Sequence, residues 1–327
     1  MLRSACFSIF EIMLEFSHTP VMPSEVLEYL DIDKDKIYFD CTLGAAGHSQ
    51  LILEKLNGQG QLYSFDQDIN VIESHRELQA SINSEALKQG FTNDRNDTLT
   101  ENKWNLIHAN FSQVKDFCEE NEIKITGGIL VDLGISSMQL DDPERGFSYL
   151  HDTPLDMRMD RDVSLSAYDV INTFKEADIA NIFYNYAEER LSRQIAQRII
   201  EQRPVETSKQ LADLVKEVYW RKYHKHSKAH PATKVFQALR ISVNKELEVL
   251  ETLLESLPEV LVEGATVVII TFHSLEDRIV KQFLKKANDK YKFQLSFKKP
   301  LVASDEELKE NSRSRSAKLR AARFILK

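Results

Sequence analysis

Cysteine is scarce and scattered in this chain: Cys6, Cys41 and Cys118 lie far apart, and no C-x-x-C pair occurs. That pattern excludes a disulfide framework and a cysteine-based zinc site, and it suits a reducing cytoplasm. Long apolar runs are also missing. None approaches the roughly 18 residues that a bilayer-spanning helix needs, so no membrane partner is expected. The longest, 265–272 (ATVVIITF), has the length of a buried strand. A surplus of positive charge is absent too. The net charge of −9 excludes a generally adhesive nucleic-acid coat, although not a local basic face. The first dozen residues, MLRSACFSIFEI, are followed by no clean small-residue cleavage site, and Glu11 and Glu15 interrupt their apolar character. A start at Met13 accounts for them better than a signal peptide. No internal repeat is visible. What remains is a chain of 327 residues, 42% hydrophobic and 28% charged, ordinary for a globular protein of about two domains.

The chain is organised around residues 37–49 (IYFDCTLGAAGHS). Ile37, Tyr38 and Phe39 form an apolar, β-prone run closed by Asp40. Gly44 and Gly47 bracket a tight turn, after which Leu51, Ile52 and Leu56 fall on one helical face. Strand, glycine turn and helix N-terminus make a cradle for a nucleotide-type ligand. Glycine admits close backbone approach, and the first helical N–H groups are free donors. A second short strand, 61–65, stops at Asp66, which lies 22 positions after Gly44. An acidic residue at about that distance is placed to accept hydrogen bonds from ribose hydroxyls. The spacing suits NAD-type dinucleotides and S-adenosylmethionine alike. The glycine pattern is only G-x-x-G, and the missing third glycine weighs against the dinucleotide.

Further strands are expected at 104–108 and at 127–133 (GGILVDL), the latter closed by Asp132 and followed by Gly134-Ile135-Ser136-Ser137. Strands alternating with helices indicate a parallel α/β sheet, whose ligands sit beyond the carboxyl ends of the strands. Asp40, Asp66, Phe111 and Asp132 all fall at those ends. From residue 166 to about 217 helical patterns follow one another with no strand between them. The chain therefore reads as a discontinuous α/β domain, residues 13–139 and 234–327, with an all-helical insertion at 140–233. One amphipathic helix over 235–256 should lead back to the strand at 265–272. A mixed strand-and-loop tail is expected from 289 onward.

Three stretches carry chemistry beyond the cradle. His273, Ser274, Asp277 and Arg278 follow directly on a buried strand, and Ser274 with Asp277 reads as a helix cap. Gln237, Arg240 and Asn244 share one helical face while Phe236, Leu239 and Val243 supply the core side, which leaves the polar stripe free to line a cleft. Two basic clusters suit phosphate contacts: five basic residues and three histidines between Arg221 and Lys234, and six basic residues between Asn311 and Lys327, neither with an acid. The stretch 156–160 (DMRMD) reads as a loop tied by arginine–carboxylate pairs rather than a metal site.

Together these motifs resemble the bacterial 16S rRNA cytosine-N4 methyltransferases, the MraW or RsmH family. The match rests on HTPVM (18–22), DCTLGAAGHS (40–49), ANFSQV (109–114), GILVDLGISSMQLDDPERGFSY (128–149), PLDMRMD (154–160), EERLSRQIA (188–196), HPATKVFQALRISVN (230–244), FHSLEDRIVKQF (272–283) and SRSRSAKLRAA (312–322). The resemblance implies a Rossmann-like, S-adenosylmethionine-dependent methyltransferase domain with a helical insertion for RNA recognition. It implies a cytoplasmic enzyme that methylates the exocyclic N4 of a decoding-centre cytidine in 16S rRNA of the small ribosomal subunit. The oligomeric state stays open, a homodimer included. Carried over by motif, the cofactor contacts fall on Ala46, Gly47, His48, Asp66, Phe111, Asp132 and Gln139. Asp132, or the turn of Ser136 and Ser137, is the candidate catalytic acceptor. Arg158, His230, Lys234, Gln237, Arg240, Asn244, His273 and Arg278 are candidate RNA contacts, and Phe147 and Phe272 candidates to receive an unstacked base. Where the family has Arg-Gly this chain has Ala45-Ala46, which should bring a methyl group towards the cofactor. The alternative of a different class is a non-catalytic RNA-binding assembly factor on the same fold.

Overall fold

The computed structural model describes residues 19–88, 103–224, 230–286 and 290–327. Cys6, Met13 and most of the polar stretch at 81–103 lie outside them. The chain divides into two compact units, one formed by residues up to Gly134 with Val249–Lys327, the other by Ile135–Glu248.

The first unit is built on seven strands: β1 (Ile37–Asp40), β2 (Gln61–Asp66), β3 (Trp104–His108), β4 (Gly128–Asp132), β5 (Thr266–Thr271), β6 (Tyr291–Leu295) and β7 (Lys318–Leu326). They lie in the order β3-β2-β1-β4-β5-β7-β6, with β1 to β5 mutually parallel and β7 antiparallel to both neighbours. The order reverses between β1 and β4, so their carboxyl ends open the crevice that Rossmann-like sheets use for ligands. Both faces of the sheet are covered, which is why the parallel strands read as near-continuous apolar runs. Alternate residues serve opposite cores. Phe39, Tyr63, Ile129 and Val267 join Leu253, Leu257 and Phe283 on one side, while Tyr38, Leu62, Leu130 and Val268 join Val26, Leu30, Ile52 and Leu56 on the other.

The second unit packs the helices Ala167–Thr173, Glu176–Ala187, Ser192–Glu201, Ser208–Tyr223 and Ala232–Asn244 around a core that includes Val170, Phe183, Ile195, Leu211 and Leu239. Ser166 with Asp169 and Thr207 with Gln210 form reciprocal capping boxes that fix two of the helix starts. The α/β domain with an all-helical insertion is thus the observed architecture. Among the described residues no helix is long and apolar enough to cross a membrane.

Two local expectations need correction. The helix expected over 235–256 is two, Ala232–Asn244 and Glu246–Val260, broken at Lys245 in the left-handed region (φ 50°). The first buries Val235, Phe236 and Leu239 in the helical core; the second buries Leu250, Leu253 and Leu257 in the sheet core. Two cores require two stripes, and Ile135–Glu248 form one of the two compact units. After β2 the chain forms two short helices, Ile69–Ser74 and Arg76–Lys88, parted at His75. The tail is more than an edge. β7 pairs with β5 from Thr266↔Arg323 to Thr271↔Lys318 and lies inside the sheet.

Candidate functional site

The glycine turn is held open by two left-handed residues, Gly44 (φ 49°) and Ala46 (φ 60°). Glycine adopts that conformation freely, whereas in an L-residue it costs about 1–2 kcal/mol. The Ala46 side chain is fully buried in an apolar cluster of the sheet unit. Gly47 opens the helix Gly47–Leu56, and the Pro20 ring lies so close that a Cβ on Gly47 would come within 3.1 Å of it. By helix geometry the N–H groups of Gly47, His48 and Ser49 have no intrahelical acceptor.

Asp66 at the end of β2 locks this turn. Its Oδ2 accepts the Gly44 N–H at 3.0 Å and its Oδ1 the Asp68 N–H at 2.9 Å. Burial pushes its carboxyl up to about 6, although these two N–H groups work in the opposite direction. At the end of β3, Asn110 caps a single turn, Phe111–Gln113, and its amide donates to Gln67 Oε1 at 2.7 Å. Phe111 is half-buried against the sheet core.

At the ends of β1 and β4 three titratable groups converge. Asp40 is wholly buried; its Oδ2 accepts from Ser49 Oγ at 2.7 Å and its Oδ1 from the Thr42 N–H at 3.1 Å. Burial raises its pKa; Ser49 and the charge of His48 oppose that, and the charge of Asp132 adds to it. Ser49 continues a buried chain through Ser64 to the Trp104 indole N–H. Thr42 Oγ1 accepts the Asp132 N–H at 2.9 Å. His48, 6% exposed, lies with Nε2 3.5 Å from Asp132 Oδ2. Among the described residues, Asp132 Oδ1 and both ring nitrogens of His48 are buried without a hydrogen-bond partner. Sequence reasoning missed Thr42 and Ser49, two hydroxyls inside the quoted motif whose spacing from Asp40 was the available signal.

The next residues along the chain belong to the helical unit. Ser136 caps the helix Ser137–Asp141 in a reciprocal box, its Oγ accepting the Gln139 N–H while Gln139 Oε1 accepts the Ser136 N–H. Arg158 makes the expected loop-tying pair with Asp156 (Nε to Oδ1 2.8 Å, Nη2 to Oδ2 2.9 Å) and donates to the carbonyls of Arg161 and Val163. Arg240 pairs with Glu246 through two hydrogen bonds of 2.7 and 2.9 Å. Asn244 accepts the Met159 N–H at 2.7 Å and donates to the Met157 carbonyl at 2.8 Å. The stripe expected to be free is therefore largely committed: two of its members hold the unit together, and only Gln237, half-buried, lacks such an assigned task.

His230 stacks on Tyr149 at 4.3 Å and accepts the Ala232 N–H; Lys234 is exposed. Phe147 is buried in the helical core, which leaves the half-buried Phe272 of the two aromatics. In the sheet unit the cap is His273, not Ser274. Its ring accepts the Glu276 N–H and Glu276 Oε2 accepts the His273 N–H. Arg278 is exposed on that helix. The second basic cluster is partly internal, because Arg320 pairs with Asp277 at 2.7 Å and Arg323 with Asp31 at 2.8 Å.

Residues 15–325 match the model of the MraW methylase family. The ribosomal RNA small subunit methyltransferase H of Fusobacterium nucleatum subsp. nucleatum is 41% identical over 321 residues, covering 93% of this chain and 95% of that one. Among solved structures, an rRNA methylase from Streptococcus thermophilus is similar at 8% identity and a TM-score of 0.39, covering 95% and 99% of the two chains. TrmN from Thermus thermophilus is similar at 10% identity and a TM-score of 0.41, covering 97% and 52%. At such scores neither structure carries weight for the chemistry.

Proposed function

The chain belongs to the MraW methylase family, and on that premise we propose that it transfers a methyl group from S-adenosylmethionine to the exocyclic N4 of a decoding-centre cytidine in 16S rRNA of the small ribosomal subunit. The name of its Fusobacterium relative supports a small-subunit rRNA substrate. The observation that carries the reading is Asp132: a carboxylate at the crevice end of β4 whose Oδ1 is buried without a hydrogen-bond partner among the described residues.

The residues fit the cofactor. Asp66 keeps lone pairs for ribose hydroxyls beyond the two N–H groups it holds, and the N-terminus of Gly47–Leu56 offers donors. Asp40, Asp66 and Asp132 place three carboxyl groups around the cradle, a field suited to a cationic sulfonium. Phe111 supplies a half-buried apolar surface. When bound, S-adenosylmethionine supplies a methyl group already activated by its positive sulfur.

The protein's task is alignment and proton removal. Cytosine N4 is a weak nucleophile because its lone pair is delocalised into the ring. Asp132 Oδ1 accepts one N–H, favours the pyramidal nitrogen of the transition state and takes the proton released as the N–C bond forms. Ser136 and Ser137 stand in reserve for the same role. The base must be unstacked at a cost of a few kcal/mol, and Phe272 is the aromatic group in the sheet unit that would receive it. The helical unit recognises RNA through exposed groups such as Arg221, Lys222, Tyr223 and Lys234.

Transfer from labelled S-adenosylmethionine to unmethylated small subunits, with mass analysis of the digested nucleosides, tests the proposal. N4-methylcytidine is the expected product. A chain that binds no S-adenosylmethionine and transfers no methyl group is the assembly factor instead.

A further inference from the structure

The unpartnered atoms at the ends of β1 and β4 come as a pair, and for one of them, His48, the proposed function uses only the backbone of its helix turn. His48 sits on the first turn of Gly47–Leu56, more than nine-tenths buried, with neither ring nitrogen hydrogen-bonded among the described residues. A buried imidazole without partners costs free energy, about 1–3 kcal/mol for each orphaned group, and such groups persist where function fills them. The side chain that faces His48 is Asp132, whose Oδ2 is 3.5 Å from Nε2: within ion-pair range and just beyond a good hydrogen bond. Both backbones are held from outside the pair. Ser49, the next residue after His48, donates to Asp40 at 2.7 Å, and Thr42 Oγ1 accepts the Asp132 N–H at 2.9 Å.

We propose that His48 is a positioning residue for Asp132: its Nε2–H holds Oδ2, so that Oδ1 is turned to the amine that loses its proton. The proposal rests on the methyl-transfer reading above. The two carboxylate oxygens then have different work, one fixed by the imidazole and the other open to substrate. The balance is simple: the bond between the methyl group and sulfur breaks as the N–C bond forms, a neutral thioether leaves, and the proton from the amine N–H goes to Asp132 Oδ1. Among the described residues Asp40 from β1 also faces the pair, its charge coupling to both.

Two variants and one spectrum decide it. His48→Gln keeps a donor near the Nε2 position and His48→Leu removes it. With S-adenosylmethionine saturating, kcat should fall about tenfold for His48→Gln and roughly 10²–10³-fold for His48→Leu, with the Kd for S-adenosylmethionine shifted less than threefold in both. In the full wild-type chain without ligand, NMR titration of the Asp132 carboxyl carbon and the His48 ring should show the same two steps in both signals. Independent single steps in wild type overturn the proposal, as does a Kd raised more than tenfold with kcat at saturation unchanged, which would make His48 a cofactor contact only. The titration needs no RNA and no variant. Coupled steps without any N4-methylcytidine product would therefore sink the functional reading, and with it the amine as the group that Oδ1 meets, while the hold of His48 on Asp132 stands, and a His48→Leu chain that fails to fold leaves the titration and His48→Gln to decide.

Discussion

At the carboxyl edge of the sheet and in the helical unit, residues of the same chemical kinds meet opposite fates. His48 and Asp132 on the edge keep buried polar atoms without hydrogen-bond partners. Arg158, Arg240 and Asn244 in the helical unit have theirs filled by Asp156, Glu246 and the backbone of Met157 and Met159. All five looked like functional candidates by residue type and motif. The difference lies in remaining hydrogen-bonding capacity: a group already satisfied inside its own unit stabilises it, while an orphaned one awaits a ligand.

The sharpest break of this comparison is on the open side. Asp132→Ala should cut methyl transfer roughly 10²–10⁴-fold while leaving the thermal midpoint within a few degrees, read by single-turnover label transfer and a melting curve. Near-normal turnover would remove Asp132 from the acceptor role.

The committed side should respond in the other currency. Asn244→Ala leaves the Met159 N–H and the Met157 carbonyl unmatched and should destabilise the protein by about 2–3 kcal/mol, read by urea unfolding. The Kd for S-adenosylmethionine should move less than threefold. A normal stability with lost RNA binding would return Asn244 to the list of RNA contacts.

Asp66 stands between the two classes, since it holds the Gly44 and Asp68 N–H groups yet is also the expected ribose acceptor. Its carboxyl is pushed up to about 6 by burial, above the ordinary value of 3.8. A raised carboxyl pKa means that the folded, ligand-free chain binds the proton more readily than the unfolded one, so its stability should rise as pH falls from about 6 towards 4. Ribose hydroxyls need the carboxylate, so affinity for S-adenosylmethionine should fall over the same window, by up to tenfold per pH unit. Calorimetric titrations at pH 5 and pH 7 check this, and Asp66→Asn should flatten the dependence. Affinity that is flat in wild type would separate Asp66 from the ligand.

The smallest effect is expected at Ala46. Ala46→Gly relieves the left-handed strain, but it removes a buried methyl group worth about 0.8 kcal/mol and loosens the unfolded chain by about 0.4–1 kcal/mol. The terms nearly cancel, and equilibrium unfolding should show a change within about 1 kcal/mol. A larger effect on ligand affinity than on stability would mean that the methyl group does face the cradle.

Much of the fold was legible because its signals are local. The runs at 37–40, 61–66 and 104–108 are apolar and end in polar residues, so strand positions and their crevice ends could be read directly. The break at Lys245 could not, because the stripes of Ala232–Asn244 and Glu246–Val260 continue one another along the sequence and only their separate cores distinguish them. β7 was obscured by its basic residues. Arg320 and Arg323 look like surface charge until Asp277 and Asp31, far away in sequence, are brought to them.

The sequence by itself determined the glycine cradle, the acidic residues at the strand ends and the family, since each rests on residue identity at short spacing. Tertiary structure decided which polar groups remain available. Asn244 is engaged by a loop some 85 residues earlier and Asp132 by Thr42 some 90 residues earlier. Hydrogen bonds form between atoms that folding brings together, so the number still unfilled on a side chain depends on long-range contacts that no local pattern encodes.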